Sequence, residues 1–379
     1  MGKDVAILDI GSCKLVFATG HKNSIGSCEI TSFSWIPYDG YYEGEFINLD
    51  SLLDDVRKVY EKAPLRKIPK TLYIGVPAEF SKVEVKAYFL NLGRERLISS
   101  SIINELHSKG DQYGSDPEWE IFSSAAINYL LDDERYVVNP YGERARTIKA
   151  TISYMKVKSI FVEMFDAIAK DLGFEETKYI SSPWAVATRF VDEQAREYGA
   201  LSLDIGFGST SISYIKGDGI VKMASAPLGK GSIYAKLAQQ LNVSFDEALS
   251  IEKSINLDFE ALDGALYTVF TENQVKTFKA KDVNNAVRAR LKEISDFVNS
   301  VIAEDKEMIP DTSIIYITGG GIVGIKGSLI ALEKQLGRRV RGRAPGINNY
   351  DKPYYASMYS ILDVACDINE NQSIWKKLF

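Results

Sequence analysis

The chain carries three cysteines and two histidines among 379 residues. No apolar run approaches the ~20 residues that a membrane-spanning helix needs. Each scarcity excludes a class of function. Cys13, Cys28 and Cys366 show neither metal-ligand spacing nor the even count of a disulfide framework. His21 and His107 leave little material for a histidine-based metal or acid–base site, and both are expected at the surface or in loops. Met1-Gly2-Lys3-Asp4 does not open a signal peptide, so a reducing cytoplasm is the expected compartment. The pattern Gly-x-x-x-x-Gly-Lys-Ser/Thr is missing, which removes a Walker-type phosphate loop. A strong excess of one charge is lacking too, since the net charge is −6. Arg338, Arg339, Arg341 and Arg343 form the one dense basic cluster and read as a solvated loop or strand edge, so nucleic acid is not an expected partner.

With 45% hydrophobic and 25% charged residues the composition is globular, and the length calls for two or three domains. The informative feature is a repeated phrase. One apolar run ends in Asp9-Ile-Gly-Ser12, and another ends in Asp204-Ile-Gly-Phe-Gly-Ser209. A third, Ile314–Ile317, opens into Thr318-Gly-Gly-Gly321. Glycine has no Cβ, so a Gly/Ser turn at a strand end brings backbone N–H groups and hydroxyls close to an anion. Two such turns are expected to clamp a polyphosphate, with Gly11, Ser12 and Lys14 on one lobe and Gly206, Gly208 and Ser209 on the other. Gly319, Gly320 and Gly321 are expected to let backbone pass close to a purine and its ribose. Asp9 and Asp204 would repel bare phosphates, so their presence implies Mg²⁺ held through water.

The elements predicted around these turns repeat as well. Val5–Leu8 and Lys14–Thr19 read as a strand hairpin, followed by a helix capped by Asp50 and a strand at Thr71–Val76. Residues 83–157 differ in texture and read as an inserted α/β subdomain. A helix then buries Ile160, Phe161, Met164, Phe165, Ile168, Ala169 and Leu172. The second half restarts with Leu201–Leu203 and Ser211–Ile215. Helices follow at Ser232–Leu241, Val283–Ile302 and Ser328–Leu336, with a polar, mixed stretch at Asn242–Asp282.

On these motifs the chain resembles the actin-like ATPase superfamily, and within it the FtsA family of bacterial cell-division proteins. Asp9-Ile-Gly-Ser-Cys-Lys14 is similar to its first phosphate motif, Asp204 to Ser209 to its second, and Thr318 to Gly321 to its adenosine motif. Further similarity lies in Glu43 to Leu49, Asn139 to Arg144 and Pro353 to Leu362. The resemblance implies an α/β, two-lobed ATPase fold with a duplicated ribonuclease H-like core and an FtsA-type inserted subdomain. The implied division is 1–82 with 158–199 for the first lobe and 83–157 for its insertion. The second lobe is then 200–231 with 310–367, its insertion 232–309, and a tail covers 368–379.

The same resemblance implies ATP and Mg²⁺ as ligands, self-association into a polymer, and a position on the cytoplasmic face of the membrane at the division site. It also implies that the FtsZ C-terminal tail docks on 232–309. Arg288 and Arg290 are candidate contacts for that acidic tail, with a plain exposed charged face as the alternative. Several positions depart from the family pattern. Phe207 stands where a glycine is usual, Ser211 where an aspartate is, and Ser250 where a lysine is common. The segment Ser182–Ala187 lacks the glutamate of hydrolysing members, so at most a weak ATPase is expected. At the C-terminus Ile374, Trp375, Leu378 and Phe379 share one helical face opposite Lys376 and Lys377, the pattern of an interfacial membrane anchor. Two alternatives remain open: a pilus adaptor resembling PilM, and a sugar or acetate-type kinase, for which no catalytic acid beyond the two aspartates stands out.

Overall fold

The computed structural model describes residues 4–65, 68–112, 116–258, 260–270 and 275–370. The expected anchor at Ile374–Phe379 lies outside them. The chain divides into two compact units, one of residues 1–200, 213–224 and 357–379, the other of residues 201–212 and 225–356.

In the first unit the strand Val5–Ile10 is buried along its whole length, as a central strand covered on both faces must be. It pairs antiparallel with Lys14–Lys22 and parallel with Thr71–Val76. The full order is Glu176–Ser181, Thr71–Val76, Val5–Ile10, Lys14–Lys22, Cys28–Pro37. Helices Leu49–Glu61 and Ser159–Asp171 supply Leu52, Val56, Phe161 and Phe165 to a core with Leu8, Phe17 and Ile74. Two local expectations change. The cap of the first helix is Asn48, whose extended backbone lets its side chain accept the Ser51 amide; Asp50 sits in the first turn, where its charge favours the helix dipole. Ile160 is exposed, because the first turn of its helix already turns Phe161 inward.

Between the strand Thr71–Val76 and the helix Ser159–Asp171 lies a four-stranded sheet in the order Ser81–Leu97, Arg144–Lys158, Trp119–Leu131, Tyr136–Val137. Helix Ser100–Ser108 packs on it through Ile102 and Leu106, over Tyr88, Ile148, Ile152 and Tyr154. The expectation for His107 fails here. It follows Leu106 on the inward face of that helix and is buried, with Ser124 Oγ at 2.9 Å and the Tyr129 hydroxyl at 3.0 Å. His21 lies on the strand Lys14–Lys22 and pairs with Asp4 at 2.8 Å.

The second sheet runs Val340–Gly342, Ile315–Thr318, Ala200–Ile205, Thr210–Lys216, Gly219–Ala226. Ala200–Ile205 pairs parallel with Ile315–Thr318, which pairs parallel with Val340–Gly342. This is the order of the first sheet again, with parallel strands on one side of the founding strand and its chain successors on the other. The repeated phrase is thus the visible end of a repeated sheet. The second unit adds helices Lys230–Leu241, Phe245–Glu252, Ala280–Glu304 and Ser328–Leu336. The stretch Asn242–Asp282 is more ordered than its polarity suggested. Ser244 and Glu247 form a reciprocal capping box for Phe245–Glu252, and Leu266–Phe270 pairs with Val275–Lys279 as a hairpin. Among the described residues no helix is long and apolar enough to cross a membrane.

Candidate functional site

The two copies of the phrase adopt the same closed turn. The Gly11 amide donates to the Lys14 carbonyl at 3.0 Å, and the Gly206 amide donates to the Ser209 carbonyl at 2.8 Å. Each first glycine therefore uses its N–H to close its own turn. The Gly11 and Gly206 amides, expected as anion contacts, are thereby engaged within the protein.

Each turn is also braced from behind within its own unit. Behind the first, the Tyr38 hydroxyl donates to the Gly11 carbonyl at 2.8 Å and the Tyr38 amide to the Cys13 carbonyl at 3.2 Å. Behind the second, the Lys230 amide donates to the Gly206 carbonyl at 3.0 Å and the Gly231 amide to the Phe207 carbonyl at 2.7 Å. Lys230 opens the helix Lys230–Leu241, so the second turn is held by the first amides of a helix. Carbonyl oxygens held this way keep their negative ends off the face that an anion would meet.

The two aspartates differ in setting. Asp9 is buried, and burial pushes its carboxyl above the usual range against the opposing pull of the Ser357 hydroxyl, 2.8 Å away, and of Lys14. Asp204 is only half-buried and lies against Gly319. Gly319 has φ +91°, and a Cβ there would overlap Asp204 Oδ1 and the Ile205 carbonyl. A Cβ on Gly320 would lie 2.8 Å from Tyr354 Cβ, and one on Gly321 2.5 Å from the Ile205 carbonyl. The triple glycine is thus required first by protein packing, which brings its backbone against the end of the strand Ala200–Ile205.

Among the described residues no three His, Cys, Asp or Glu side chains converge as a metal cage. Mg²⁺ does not need one, because it is commonly held by one or two carboxylates together with water and phosphate oxygens. Each turn follows one such carboxylate, Asp9 in the first unit and Asp204 in the second.

The remaining predicted site residues are placed less openly than expected. Arg288 is half-buried and donates to the Leu257 carbonyl at 3.2 Å, and Arg290 is half-buried and pairs with Glu293. Phe207, in place of the usual glycine, sits in an aromatic cluster with Tyr234 and Phe245, their ring centroids 6.2 and 6.5 Å away. Ser211 is half-buried on the strand Thr210–Lys216, and Ser250 donates to the Asp246 carbonyl within its own helix. Tyr38, Ser357 and the Lys230–Gly231 amides were not among the sequence candidates. Their contacts join segments distant in the chain, and no local pattern marks them.

Comparison with known proteins agrees with this architecture. No protein-family model matches the chain. It is 22% identical over 374 residues to the cell division protein FtsA of Bacillus subtilis, covering 95% of this chain and 82% of that protein. To FtsA of Neisseria meningitidis it is 20% identical over 382 residues, covering 97% and 91%. Among solved structures, the PilM-PilN type IV pilus biogenesis complex superimposes with TM-score 0.63 at 14% identity, over 96% of this chain and 98% of that one. MreB 5 of Spiroplasma citri bound to AMPPNP superimposes with TM-score 0.60 at 10% identity, over 98% and 99%. The chain therefore has the actin-like ATPase fold, and its sequence is similar to FtsA proteins along nearly its whole length.

Proposed function

We propose that this protein is an FtsA-like scaffold that binds ATP with Mg²⁺, polymerises at the cytoplasmic face of the membrane and tethers FtsZ at the division site. The observation that carries this reading is the pair of identically closed turns, Gly11 to Lys14 and Gly206 to Ser209, on duplicated sheets in a chain similar to FtsA almost end to end. The bound MreB 5 nucleotide supports ATP as the ligand class. In this reading Asp9 and Asp204 are the carboxylates for Mg²⁺, and each turn contacts phosphate. Gly319–Gly321 faces the nucleoside, and 371–379 meets the lipid surface. Turnover is slow, because Ser211 and the segment Ser182–Ala187 offer no carboxylate to orient the attacking water. The chain holds nucleotide as a structural ligand more than as a substrate.

The test is retention of an FtsZ C-terminal tail peptide by the full chain, with and without Arg288→Glu and Arg290→Glu. Retention that either substitution weakens supports the reading. A second reading is favoured by one observation, the superposition on the PilM-PilN complex: an adaptor for the tail of a pilus membrane protein. No retention of the FtsZ peptide by the unmodified chain moves the assignment there.

A further inference from the structure

The segment Tyr38–Phe46 touches the first phosphate turn at one end and the root of the inserted sheet at the other. At the turn, Tyr38 holds the carbonyls of Gly11 and Cys13 through its hydroxyl and amide. Gly40 (φ +82°) lies so close that a Cβ would overlap the Ser12 carbonyl. Three consecutive turn residues, Gly11, Ser12 and Cys13, are thus backed by this one segment. At the other end, Gly44 (φ +76°) packs its Cα against the Glu79 carbonyl, where a Cβ would lie 2.6 Å away, and its own carbonyl accepts Lys158 Nζ at 3.1 Å. Glu79 lies in the short turn Ala78–Phe80 that leads into the strand Ser81–Leu97, and Lys158 ends the strand Arg144–Lys158, so both chain crossings of the inserted sheet meet the segment. Tyr41 and Phe46 fix its middle against Phe80, with centroids 5.1 and 4.8 Å apart, and Phe46 also stacks on Phe161. A segment packed this way transmits displacement, because close-packed interiors do not yield to it.

We propose that Tyr38 is a positioning residue for anion binding at the first turn, and that the segment Tyr38–Phe46 makes this turn depend on the root of the inserted sheet. The proposal rests on the nucleotide-binding reading and adds a regulatory link to the same site. Tyr38 touches no ligand. It holds the turn carbonyls back so that the following amides keep one direction, and burial keeps its hydroxyl protonated as a donor.

The experiment measures binding of a fluorescent ATP analogue to the full chain, with inorganic triphosphate and adenosine as competitors. Tyr38→Phe keeps the ring and removes one donor, so triphosphate and ATP affinity should fall about fivefold, the usual worth of one hydrogen bond, while adenosine affinity holds. Lys158→Met touches no residue of the turn, yet should weaken triphosphate binding in the same selective way. Hydrogen exchange at Ser12 to Lys14 should quicken in both, with the unfolding temperature little changed. Equal triphosphate affinity in the parent and Tyr38→Phe overturns the role of Tyr38, and an effect of Tyr38→Phe without one of Lys158→Met overturns the link to the inserted sheet. A parent chain that binds neither ATP nor triphosphate overturns the nucleotide reading itself, and the proposal with it.

Discussion

Ser357, in the first turn of the helix Ala356–Glu370, donates its hydroxyl to Asp9 Oδ1 at 2.8 Å and so joins the last helix to the end of the first strand. Burial is the larger influence on Asp9, and it raises the carboxyl pKa above 3.8. Such a group binds its proton more tightly folded than unfolded. Stability therefore falls as pH rises from 3.8 toward the folded value. Asp9→Asn should raise stability at pH 7.5, the gain shrinking toward pH 4. The same substitution should weaken Mg²⁺-dependent nucleotide binding, trading function for stability. Thermal unfolding across pH measures the first effect. A variant less stable than its parent at pH 7.5 would show that Ser357 and Lys14 outweigh the burial.

His107 makes the opposite linkage. Burial holds its pKa down at about 4, below the ordinary 6.5, while both ring nitrogens are hydrogen-bonded. A lowered histidine pKa contributes stability that is complete above pH 6.5 and is lost as pH falls toward about 4. The window is therefore mildly acidic, and the loss should reach on the order of 3 kcal/mol at its lower end. Chemical denaturation at pH 7, 5.5 and 4.5 should show the decline. His107→Gln should flatten the histidine part of it while costing about 1 kcal/mol at pH 7 through poorer hydrogen bonding to Ser124 and Tyr129. An unchanged pH slope in that variant would place the acid sensitivity elsewhere.

The parts legible in the sequence were those set by local pattern. Glycine punctuation and periodicity gave the hairpins at Asp9 and Asp204 and the helix Ser328–Leu336. Chemistry that depends on contacts between distant segments was not legible. Tyr38 reaches Gly11 across 27 positions, and Ser357 reaches Asp9 across 348. His107 was misplaced because its charge-bearing type suggested a surface, although Ile102 and Leu106 had already turned that helix face inward. Arg288 and Arg290 were read as outward charges, and a backbone carbonyl and a neighbouring glutamate hold them. The glycines of Thr318 to Gly321 were read as room for a ligand, and packing against Asp204, Ile205 and Tyr354 explains them first.

That packing separates two adjacent glycines. Gly319 combines φ +91° with a Cβ position that overlaps Asp204 and the Ile205 carbonyl, so neither backbone nor neighbour can give way cheaply. Gly320 has no positive φ, and its one close neighbour is Tyr354, whose Cβ a new methyl would meet at 2.8 Å, so relief takes a small backbone shift but no strained φ. Gly319→Ala should destabilise by roughly 2–4 kcal/mol from strain and overlap together, whereas Gly320→Ala should cost about 1 kcal/mol. Nucleotide affinity should fall more in the first variant, since Asp204 must move. Denaturant midpoints and binding of an ATP analogue rank the pair, and equal costs would show that the positive φ is unimportant.

The nine residues after Glu370 carry the membrane prediction. Helical spacing would put Ile374, Trp375, Leu378 and Phe379 on one face and Lys376 and Lys377 on the other, a pattern suited to an anionic bilayer surface. So short a segment would form at best a marginal helix in water, so a single copy would pay an ordering cost on binding and hold the bilayer weakly. Polymerisation would convert weak contacts into avid ones, and binding should then rise steeply with protein concentration. In sedimentation with anionic vesicles the full chain should pellet above a threshold concentration, while a truncation ending at Glu370 should stay in solution. Trp375→Ala should raise the threshold severalfold, because the indole is the largest apolar group on that face. Equal pelleting of the full and truncated chains would remove the tail from the membrane-binding mechanism.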